Sequence, residues 1–351
     1  MGFQQDTYQS TSQIPLAEQL KQMICGFWLT QSIYVAAKLG IADLLKDGAK
    51  SAEELAKSTE VDAESLYRLM RALCSIAIFT ELENRRFQLT PMAEYLRSDV
   101  PDSLQAMAIM FGSEDWHWQP WGNILYSIKT GKPAFDDVFG TSLFPYLAQK
   151  PEAAAIFDTC MTSFSSTYIN PVVSSYDFSS INTLIDVGGG HGTLLASILK
   201  NYPKVKGIVY DQEQVIEGAK QHLEASELEG RWQLLSGDFF ESVPSGGDAY
   251  IMKHIIHDWD DESAIKILQN CHHVMPDNGK VLVVENVIPN PNEPSLSKFL
   301  DLEMLIMTSG GRERTATEFE ELFAAAGFKL TKIIPTPSSI SIIEGVKISA
   351  K

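Results

Sequence analysis

A glycine-rich turn between an apolar segment and a helical one is the feature of this chain best suited to binding a ligand. Residues 182–192 read Asn-Thr-Leu-Ile-Asp-Val-Gly-Gly-Gly-His-Gly, and Thr193 begins a helical pattern. Glycines let the backbone approach a ligand closely, and a helix N-terminus offers free N–H groups. A dinucleotide site would follow the pattern G-x-G-x-x-G/A, which requires Gly or Ala where this chain has Thr193. The turn therefore favours a nucleoside-type cofactor over NAD.

Polar and aromatic residues follow the next three strand-like segments. Asp211 follows the second segment, and its carboxylate can accept hydrogen bonds from ribose hydroxyls. Asp238 and Phe239 follow the third, where they offer an acceptor for an exocyclic amine and a flat face for a purine. Lys253 ends the fourth. Each feature alone is also typical of a helix cap or a turn, but their order after one glycine turn predicts an adenosine-bearing cofactor.

A parallel sheet is needed to bring these residues together. From about residue 180 onward strand-like and helical segments alternate, which predicts a doubly wound α/β sheet whose ligands bind beyond the C-terminal ends of the strands. The last two segments are joined by too few residues for a parallel crossover, so we expect an antiparallel C-terminal hairpin at one edge. The predicted strands cover residues 182–187, 205–210, 231–236, 248–253, 280–286, 328–334 and 339–348.

The first hundred residues predict a mainly helical winged-helix fold. A helical pattern covers residues 16–39, Ser51 and Glu54 form a capping box, and Asp62 can cap the next helix. Two short strand-like segments joined by a polar turn follow. Winged helices often bind DNA, but residues 51–100 hold six basic and nine acidic side chains, the opposite of what a phosphate-binding surface needs. We therefore expect this region to contact another protein.

The overall composition limits the class of protein. The 351 residues are 44% hydrophobic and 21% charged, and the formal net charge of −17 disfavours nucleic-acid binding. The sequence contains no run of 18 apolar residues that would indicate a membrane span, and its polar N-terminus lacks the features of a signal peptide. We therefore expect a cytoplasmic protein that binds neither nucleic acid nor membrane. No cluster of hard oxygen ligands indicates a metal site.

Composition and patterning divide the chain into four expected regions. Residues 1–13 are polar and expected to be disordered. Residues 14–102 form the winged-helix-like region, and residues 179–351 form the α/β region. Residues 103–178 between them are mostly helical in pattern and rich in Trp, Phe and Met. Such side chains form a core or line an apolar substrate cavity.

Six short motifs are specific as a set. They are Asp186-Val-Gly-Gly-Gly-His-Gly192, Tyr210-Asp-Gln-Glu-Gln-Val-Ile216, Gly237-Asp-Phe-Phe240, Lys253-His-Ile-Ile-His-Asp-Trp259, Val284-Glu285 and Gly310-Gly-Arg-Glu-Arg-Thr315. With them the chain resembles, over nearly its whole length, the plant-type small-molecule O-methyltransferases that use S-adenosylmethionine. This family includes caffeic acid, isoflavone and hydroxyindole O-methyltransferases and bacterial antibiotic-tailoring relatives. One departure is Asp211-Gln212-Glu213, where the family commonly has Asp-Leu-Pro or Asp-Arg-Pro.

The resemblance implies roles for the matched residues. It implies S-adenosylmethionine as cofactor, and it implies that the winged-helix region forms a homodimer. The cofactor-binding residues would be Gly188, Asp211, Asp238, Phe239 and Lys253. The catalytic base would be His257, with Glu285 and Glu313 flanking its imidazole. Phe157 and Met161 match apolar substrate-lining positions, and Trp121 and Met304 are weaker candidates. No metal is implied.

A histidine suits the chemistry that this resemblance implies. Methyl transfer from a sulfonium to an oxygen is an in-line displacement, and a phenol attacks well only as it loses its proton. A neutral imidazole can take that proton, and a carboxylate on the other ring nitrogen stabilises the imidazolium that forms. From spacing alone, His257 could also be a loop histidine that caps the helix starting near Asp260. The expected reaction is methyl transfer to a hydroxyl of an aromatic or conjugated small molecule.

Three alternatives remain at the level of sequence. The same fold and cofactor could serve a nitrogen or carboxylate acceptor, or a reaction without methyl transfer. A winged-helix regulator that senses a small ligand is disfavoured by the acidic balance of residues 51–100. A non-catalytic partner subunit is disfavoured because the catalytic set is complete.

Overall fold

The computed structural model describes residues 14–100, 102–113, 116–224, 226, 228 and 230–348, with the backbone alone for residues 164–167 and 221. The disorder expected for residues 1–13 lies outside the described residues. The chain divides into two compact units, and the boundary between them follows Ser113. No helix within the described ranges is both long and apolar enough to span a membrane.

The N-terminal unit is mainly helical. The predicted helix over residues 16–39 is two helices, because Cys25 interrupts it and Gly26, a weak helix former, begins the second. The helices are α1 (Leu16–Ile24), α2 (Gly26–Lys38), α3 (Ile41–Leu45), α4 (Ala52–Thr59), α5 (Ala63–Cys74) and α6 (Gln105–Gly112). The strands are β1 (Lys50–Ser51), β2 (Phe79–Leu82) and β3 (Arg86–Leu89), paired in the order β1-β3-β2.

The predicted caps and hairpin of this unit are confirmed. Ser51 and Glu54 form a capping box at α4, and Asp62 accepts a hydrogen bond from the Ser65 N–H at the start of α5. The antiparallel pair β2–β3 completes the helix, helix, hairpin order of a winged helix. Apolar side chains of α3, α4, α5 and the hairpin form the core. Helix α1, by contrast, buries none of its residues.

The second unit begins with a run of helices, as the sequence predicts. The first five are α7 (Trp118–Gly122), α8 (Ile124–Thr130), α9 (Ala134–Phe139), α10 (Leu143–Gln149) and α11 (Pro151–Ser175). The later five alternate with strands and are α12 (Thr193–Asn201), α13 (Glu213–Glu224), α14 (Asp261–Val274), α15 (Ser297–Met307) and α16 (Ala316–Ala325).

A mixed sheet forms the centre of this unit, and all seven predicted strands are confirmed to within two residues at each end. Its strands are β4 (Thr183–Val187), β5 (Lys206–Asp211), β6 (Trp232–Ser236), β7 (Ala249–Lys253), β8 (Lys280–Ile288), β10 (Phe328–Pro335) and β11 (Ile340–Lys347). The spatial order is β10-β11-β8-β7-β4-β5-β6. Strands β4 to β8 pair in parallel, and β10 and β11 form the predicted antiparallel hairpin at the edge. A short strand that the sequence did not predict, β9 (Arg314–Thr315), pairs in parallel with the end of β8.

Helices cover both faces of the sheet, which confirms the doubly wound architecture. Buried side chains of α11, α12 and α13 pack on one face, and those of α14 and α16 pack on the other. The sheet reverses its strand order between β4 and β7, so the C-terminal ends of the parallel strands form a crevice there. The glycine turn follows β4, and Lys253 ends β7. The fold therefore places both at the crevice.

Candidate active site

The glycine turn after β4 places backbone N–H groups beside a carboxylate. Gly188 and Gly190 have φ angles of +68° and +56°, which residues with a side chain rarely adopt. A Cβ on Gly188 would lie 2.3 Å from Cδ1 of Ile255, whereas a Cβ on Gly190 would meet no atom within 4 Å. Gly190 therefore borders open space. Its N–H donates a 2.9 Å hydrogen bond to Oδ2 of Asp211.

Asp211 lies at the end of β5, where two backbone amides hold its carboxylate. Besides the bond from Gly190, the Gln212 N–H donates to Oδ1 at 2.7 Å. Burial raises the pKa of Asp211, and the hydrogen bonds from Gly190 and Gln212 oppose that effect. Each carboxylate oxygen has a second lone pair, so the side chain can still accept hydrogen bonds from a ligand.

Asp238 and Phe239 follow β6, the strand that pairs with β5. Oδ1 of Asp238 accepts a 2.8 Å hydrogen bond from the Phe240 N–H, and the side chain is exposed. The Phe239 ring lies 3.8 Å from the position that a Cβ of Gly188 would take. It also makes an edge contact with the ring of Trp259, at 6.1 Å between centroids. The structure thus brings Gly188, Phe239 and the loop after β7 together.

A half-buried cation, Lys253, ends β7, and a buried carboxylate, Asp186, lies one residue before the end of β4. Burial lowers the pKa of Lys253 to about 8, against the opposing effect of Asp186 and Glu285. Burial likewise raises the pKa of Asp186 to about 7, although the charge of Lys253 lowers it. Oδ2 of Asp186 is buried without a hydrogen-bond partner. The charges of Lys253 and Asp186 are therefore only partly compensated by other groups of the chain.

His257 lies in a 3-10 turn, Ile256–Asp258, directly after β7, and its side chain is buried. Its Nδ1 is 2.7 Å from Oε1 of Glu313. Its Nε2 is 3.6 Å from Oδ1 of Asp258, which is beyond hydrogen-bond distance. Burial alone lowers the pKa of His257, but the carboxylates of Asp258, Glu313 and Glu285 outweigh it and raise the pKa above its ordinary value. Glu313 thus orients the ring and strengthens it as a base.

Glu285 holds the backbone of the His257 loop. Its Oε1 accepts hydrogen bonds from the N–H groups of Ile255 and His257, at 3.2 and 3.1 Å. The other oxygen is buried without a partner, and burial raises the pKa of Glu285 to about 7. The hydrogen bond on the imidazole therefore comes from Glu313. Glu285 lies inside β8 rather than at its end, because pairing with β9 extends β8 to Ile288.

Two residues that the sequence analysis did not single out hold the backbone segment that carries Glu313. Arg314 is fully buried, and its guanidinium donates to the carbonyl oxygens of Ile256 and Trp259, at 3.1 and 3.0 Å. It also donates to Asp261 at 2.7 Å. On the other side, Oδ1 of Asp301 accepts a 2.9 Å hydrogen bond from the Glu313 N–H. Arg314 belongs to the Gly310–Thr315 motif, so the sequence could have indicated its importance. Asp301 belongs to no motif, and nothing in the sequence indicated its role.

The predicted substrate-lining residues lie on α11, one helical turn apart. The Phe157 ring makes edge contacts with Trp116 and Phe144, at 6.3 and 6.4 Å between centroids. Phe144 in turn stacks on Trp259, at 6.1 Å. Among the described side chains, no direct ring contact joins Phe157 to His257. Aromatic contacts therefore connect Phe157 to the loop, and Met161 shares its helix face.

The weaker candidates, Trp121 and Met304, lie at a polar cluster around the buried carboxylate of Glu303, on α15. Nε1 of Trp121 donates to Oε2 of Glu303 at 2.5 Å, and Nε2 of His117 is 2.8 Å from Oε1 of the same carboxylate. Burial raises the pKa of Glu303, but His117 and Trp121 outweigh it and the net shift is downward. Met304 follows Glu303 and is buried. The sequence analysis did not find Glu303.

Comparison with known proteins matches each of the two units to a known domain family. Residues 121–329 match the family model of the O-methyltransferase domain, and residues 21–99 match that of the O-methyltransferase dimerisation domain. The phenazine O-methyltransferase PhzM of Lysobacter antibioticus is 46% identical over 331 residues, covering 94% of this chain and 96% of that protein. The phenazine-1-carboxylate N-methyltransferase of Pseudomonas aeruginosa is 33% identical, with 95% and 98% covered.

Solved structures agree with these matches. The crystal structure of LaPhzM superimposes with a TM-score of 0.92 at 46% identity, covering 95% of this chain and all of that one. CalO1, a methyltransferase in calicheamicin biosynthesis solved with S-adenosylhomocysteine bound, gives a TM-score of 0.83 at 35% identity, with 96% and 100% covered. The matched models cover more than half of the chain and its whole crevice. The chain therefore belongs to the S-adenosylmethionine-dependent O-methyltransferase family.

Proposed function

We propose that this protein transfers a methyl group from S-adenosylmethionine to a hydroxyl of an aromatic or conjugated small molecule, with His257 as the general base. The observation that carries the proposal is the buried His257–Glu313 pair, in which Nδ1 is occupied and Nε2 is left for the acceptor. The name of the Lysobacter relative supports an aromatic acceptor.

The residues around the glycine turn fit the cofactor. Asp211 would accept hydrogen bonds from the ribose hydroxyls, because two amides hold its carboxylate with lone pairs to spare. Gly188 and Gly190 would let the backbone approach, and Gly190 borders open space. Asp238 and Phe239 would hold the adenine. The partly compensated pair of Lys253 and Asp186 suits a ligand that carries both a carboxylate and an amine. When bound, the cofactor supplies an electrophilic methyl group.

His257 performs the proton transfer in this proposal. The acceptor hydroxyl donates a hydrogen bond to Nε2, and the proton moves to the ring as the oxygen attacks. Glu313 keeps the proton of the neutral ring on Nδ1 and stabilises the imidazolium. Glu285 and Arg314 hold the loop backbone, so that the ring has one orientation. Both are positioning residues in this scheme.

The acceptor cavity would be formed by the helices before the sheet. Phe157 and Met161 would contact an aromatic ring through the shared face of α11, with the region 103–178 as the substrate-lining part of the chain. Aromatic and Met side chains give large contact areas to flat apolar ligands. The name of the Pseudomonas relative favours one further candidate, methylation of a ring nitrogen on the same scaffold.

A homodimer is the proposed assembly, through the unit that matches the dimerisation domain. Helix α1 buries no residue within this unit, and large apolar side chains on α1 and α2 are exposed. These are Leu16, Leu20, Met23, Ile24, Phe27, Trp28 and Leu29. An exposed apolar surface of this kind is typical of a protein–protein interface. Residues 14–102 would therefore act as the dimerisation domain and residues 179–351 as the cofactor-binding domain.

The direct test of the proposed function uses methyl-labelled S-adenosylmethionine with phenols, catechols, hydroxyindoles and matched ring-nitrogen acceptors. We expect label on oxygen of at least one hydroxylated aromatic. Label on nitrogen alone, or binding of the cofactor with no labelled product from any acceptor, would contradict the proposal.

Asp211→Asn tests the proposed cofactor contacts. The amide retains the shape of the carboxylate but loses its charge and one acceptor atom. Hydrogen bonds to a charged group contribute about 1.5–3 kcal/mol, so we expect the Kd for S-adenosylhomocysteine to rise about 10- to 100-fold in titration calorimetry. Glu213→Gln is the control, because it removes the same charge two residues away on the surface. Equal affinity in Asp211→Asn and the wild type would remove Asp211 from the site.

A further inference from the structure

His254 is a second histidine at the acceptor site, and the mechanism above does not use it. It stands between Lys253 and the His257 turn, with a φ angle of +54° that few residues other than glycine adopt. Its N–H donates to the Val284 carbonyl at 3.3 Å. The N–H of the next residue, Ile255, donates to Glu285. The chain is thus held in a sharp bend that projects the His254 ring from the end of β7.

Ring contacts place His254 between the base and the substrate-lining helix. Its imidazole centroid is 5.0 Å from that of His257, with 35° between the ring planes. The ring of Tyr168, on α11, lies 5.8 Å from the His254 ring. Phe157, Met161 and Tyr168 are spaced by four and seven residues along α11, so they share one helix face. The face proposed to bind the aromatic acceptor therefore ends at His254.

One polar atom of His254 is unsatisfied. Its Nδ1 is sealed from solvent and has no hydrogen-bond partner. Burial, together with the charges of Lys253 and His257, lowers the pKa of His254 well below its ordinary value, so the ring is neutral. A neutral imidazole has one donor and one acceptor. An unpaired buried polar atom costs free energy. His254 as a whole is only half-buried, so the residue borders solvent-accessible space that an acceptor can enter.

We propose that His254 is a specificity-determining residue that hydrogen bonds to a second polar atom of the acceptor, adjacent to the hydroxyl that His257 deprotonates. The proposal rests on the function proposed above. The favoured acceptors are aromatic molecules with a hydroxyl next to a second hydroxyl, a carbonyl oxygen or a ring nitrogen. Isolated phenols and isomers with separated polar groups are the disfavoured class.

The spacing of the two rings supports this choice of acceptor. Two polar atoms on neighbouring positions of an aromatic system are about one hydrogen-bond length apart. Each can therefore meet one of two imidazoles whose centres are 5.0 Å apart. Groups in a meta or para arrangement diverge, so an acceptor held at His257 would direct its second group away from His254.

Two pairs of isomeric acceptors test the proposal: catechol against resorcinol, and 8-hydroxyquinoline against 6-hydroxyquinoline. The measured quantity is the ratio of kcat/KM within each pair, compared between variants, so that intrinsic reactivity cancels. His254→Gly removes the ring and suits the positive φ angle, so its backbone is not strained. We expect this variant to lower the preference for the adjacent isomer about tenfold, the effect of losing one hydrogen bond.

Two further variants separate recognition from structural damage. Asn tolerates a positive φ angle and keeps a donor and an acceptor, so His254→Asn should retain part of the preference. His273→Asn, on the exposed side of α14, should leave the ratio at its wild-type value. Added imidazole should restore the preference of His254→Gly by occupying the vacated space.

The outcomes distinguish this proposal from the proposed function. An unchanged ratio in His254→Gly, or equal loss on both isomers without rescue by imidazole or by Asn, would overturn the role of His254 while leaving methyl transfer intact. If the wild type methylates no hydroxyl in any of the four acceptors or in the wider panel, the proposed function itself has failed. Binding of S-adenosylhomocysteine by each variant shows that the cofactor site is formed.

Discussion

His257→Ala is expected to lower kcat about 10²- to 10⁴-fold, the range that a positioned general base contributes, while the Kd for S-adenosylhomocysteine stays near the wild-type value. The His257 side chain is buried and contacts Glu313, whereas Asp211 is held by the Gly190 and Gln212 amides. Its loss therefore removes the proton acceptor without touching the residues proposed to hold the cofactor. Single-turnover assays with labelled cofactor and calorimetry measure the two effects separately.

The ionisation state of the acceptor sharpens this test. A nitro-substituted phenol that is already ionised at the assay pH needs no base, so the loss in His257→Ala should be much smaller with it than with an unsubstituted phenol. His273→Ala provides the matched control, because this histidine is exposed on α14. Turnover of the unsubstituted phenol at the wild-type rate, or an equal loss with both acceptors, would exclude His257 as the base.

The sheet and the crevice could be predicted because each depends on local pattern. Apolar runs of strand length alternate with helical segments, and the glycine turn marks one strand end without ambiguity. Once the strands are parallel, Asp211 and Lys253 must lie at the same edge. Their approach to the turn follows from the pairing of β4 with both β5 and β7. No long-range side-chain information is needed for this part of the site.

The contacts that hold the His257 loop and Glu313 in position could not be predicted in the same way. Glu285 was expected at the imidazole, yet it holds the N–H groups of Ile255 and His257, a role that depends on how β8 continues into its pairing with β9. Asp301 reaches the Glu313 N–H from α15. Such contacts join residues far apart in sequence, and no short motif reports them.

The residues around the His257 imidazole differ from an ordinary hydrophobic core because several of them are buried and charged. Glu285, Glu313 and Arg314 are all nearly or fully buried around one imidazole. The charge of Arg314 lowers the pKa of Glu285, whereas that of Glu313 raises it. Burying such groups is unfavourable unless each finds partners, so the arrangement costs stability that an apolar core would not. It is consistent with a site whose purpose is to hold a proton at a defined atom.

Glu313→Gln is expected to lower the limiting kcat/KM about 10- to 100-fold, because a hydrogen bond to a charged group contributes about 1.5–3 kcal/mol and each 1.36 kcal/mol corresponds to a tenfold change in rate. Gln preserves the size of the side chain and can present its amide oxygen to the Nδ1 proton, so the tautomer of His257 is retained. What it removes is the negative charge that stabilises the imidazolium. The pH profile of kcat/KM, at saturating cofactor, separates this effect from general damage.

The direction of the pH change follows from the pKa of His257, which Asp258, Glu313 and Glu285 raise against the effect of burial. A raised pKa keeps the ring protonated to higher pH, so the base form appears only as pH rises above the ordinary histidine range. Loss of the Glu313 charge lowers that pKa, and the acid limb of the profile should move to lower pH even as the limiting rate falls. Glu313→Asp, which keeps the charge, should leave the limb near its wild-type position, and Glu293→Gln on the surface should change neither quantity. A lower limiting rate with an unmoved acid limb would mean that Glu313 only holds the loop and that another group sets the basicity of His257.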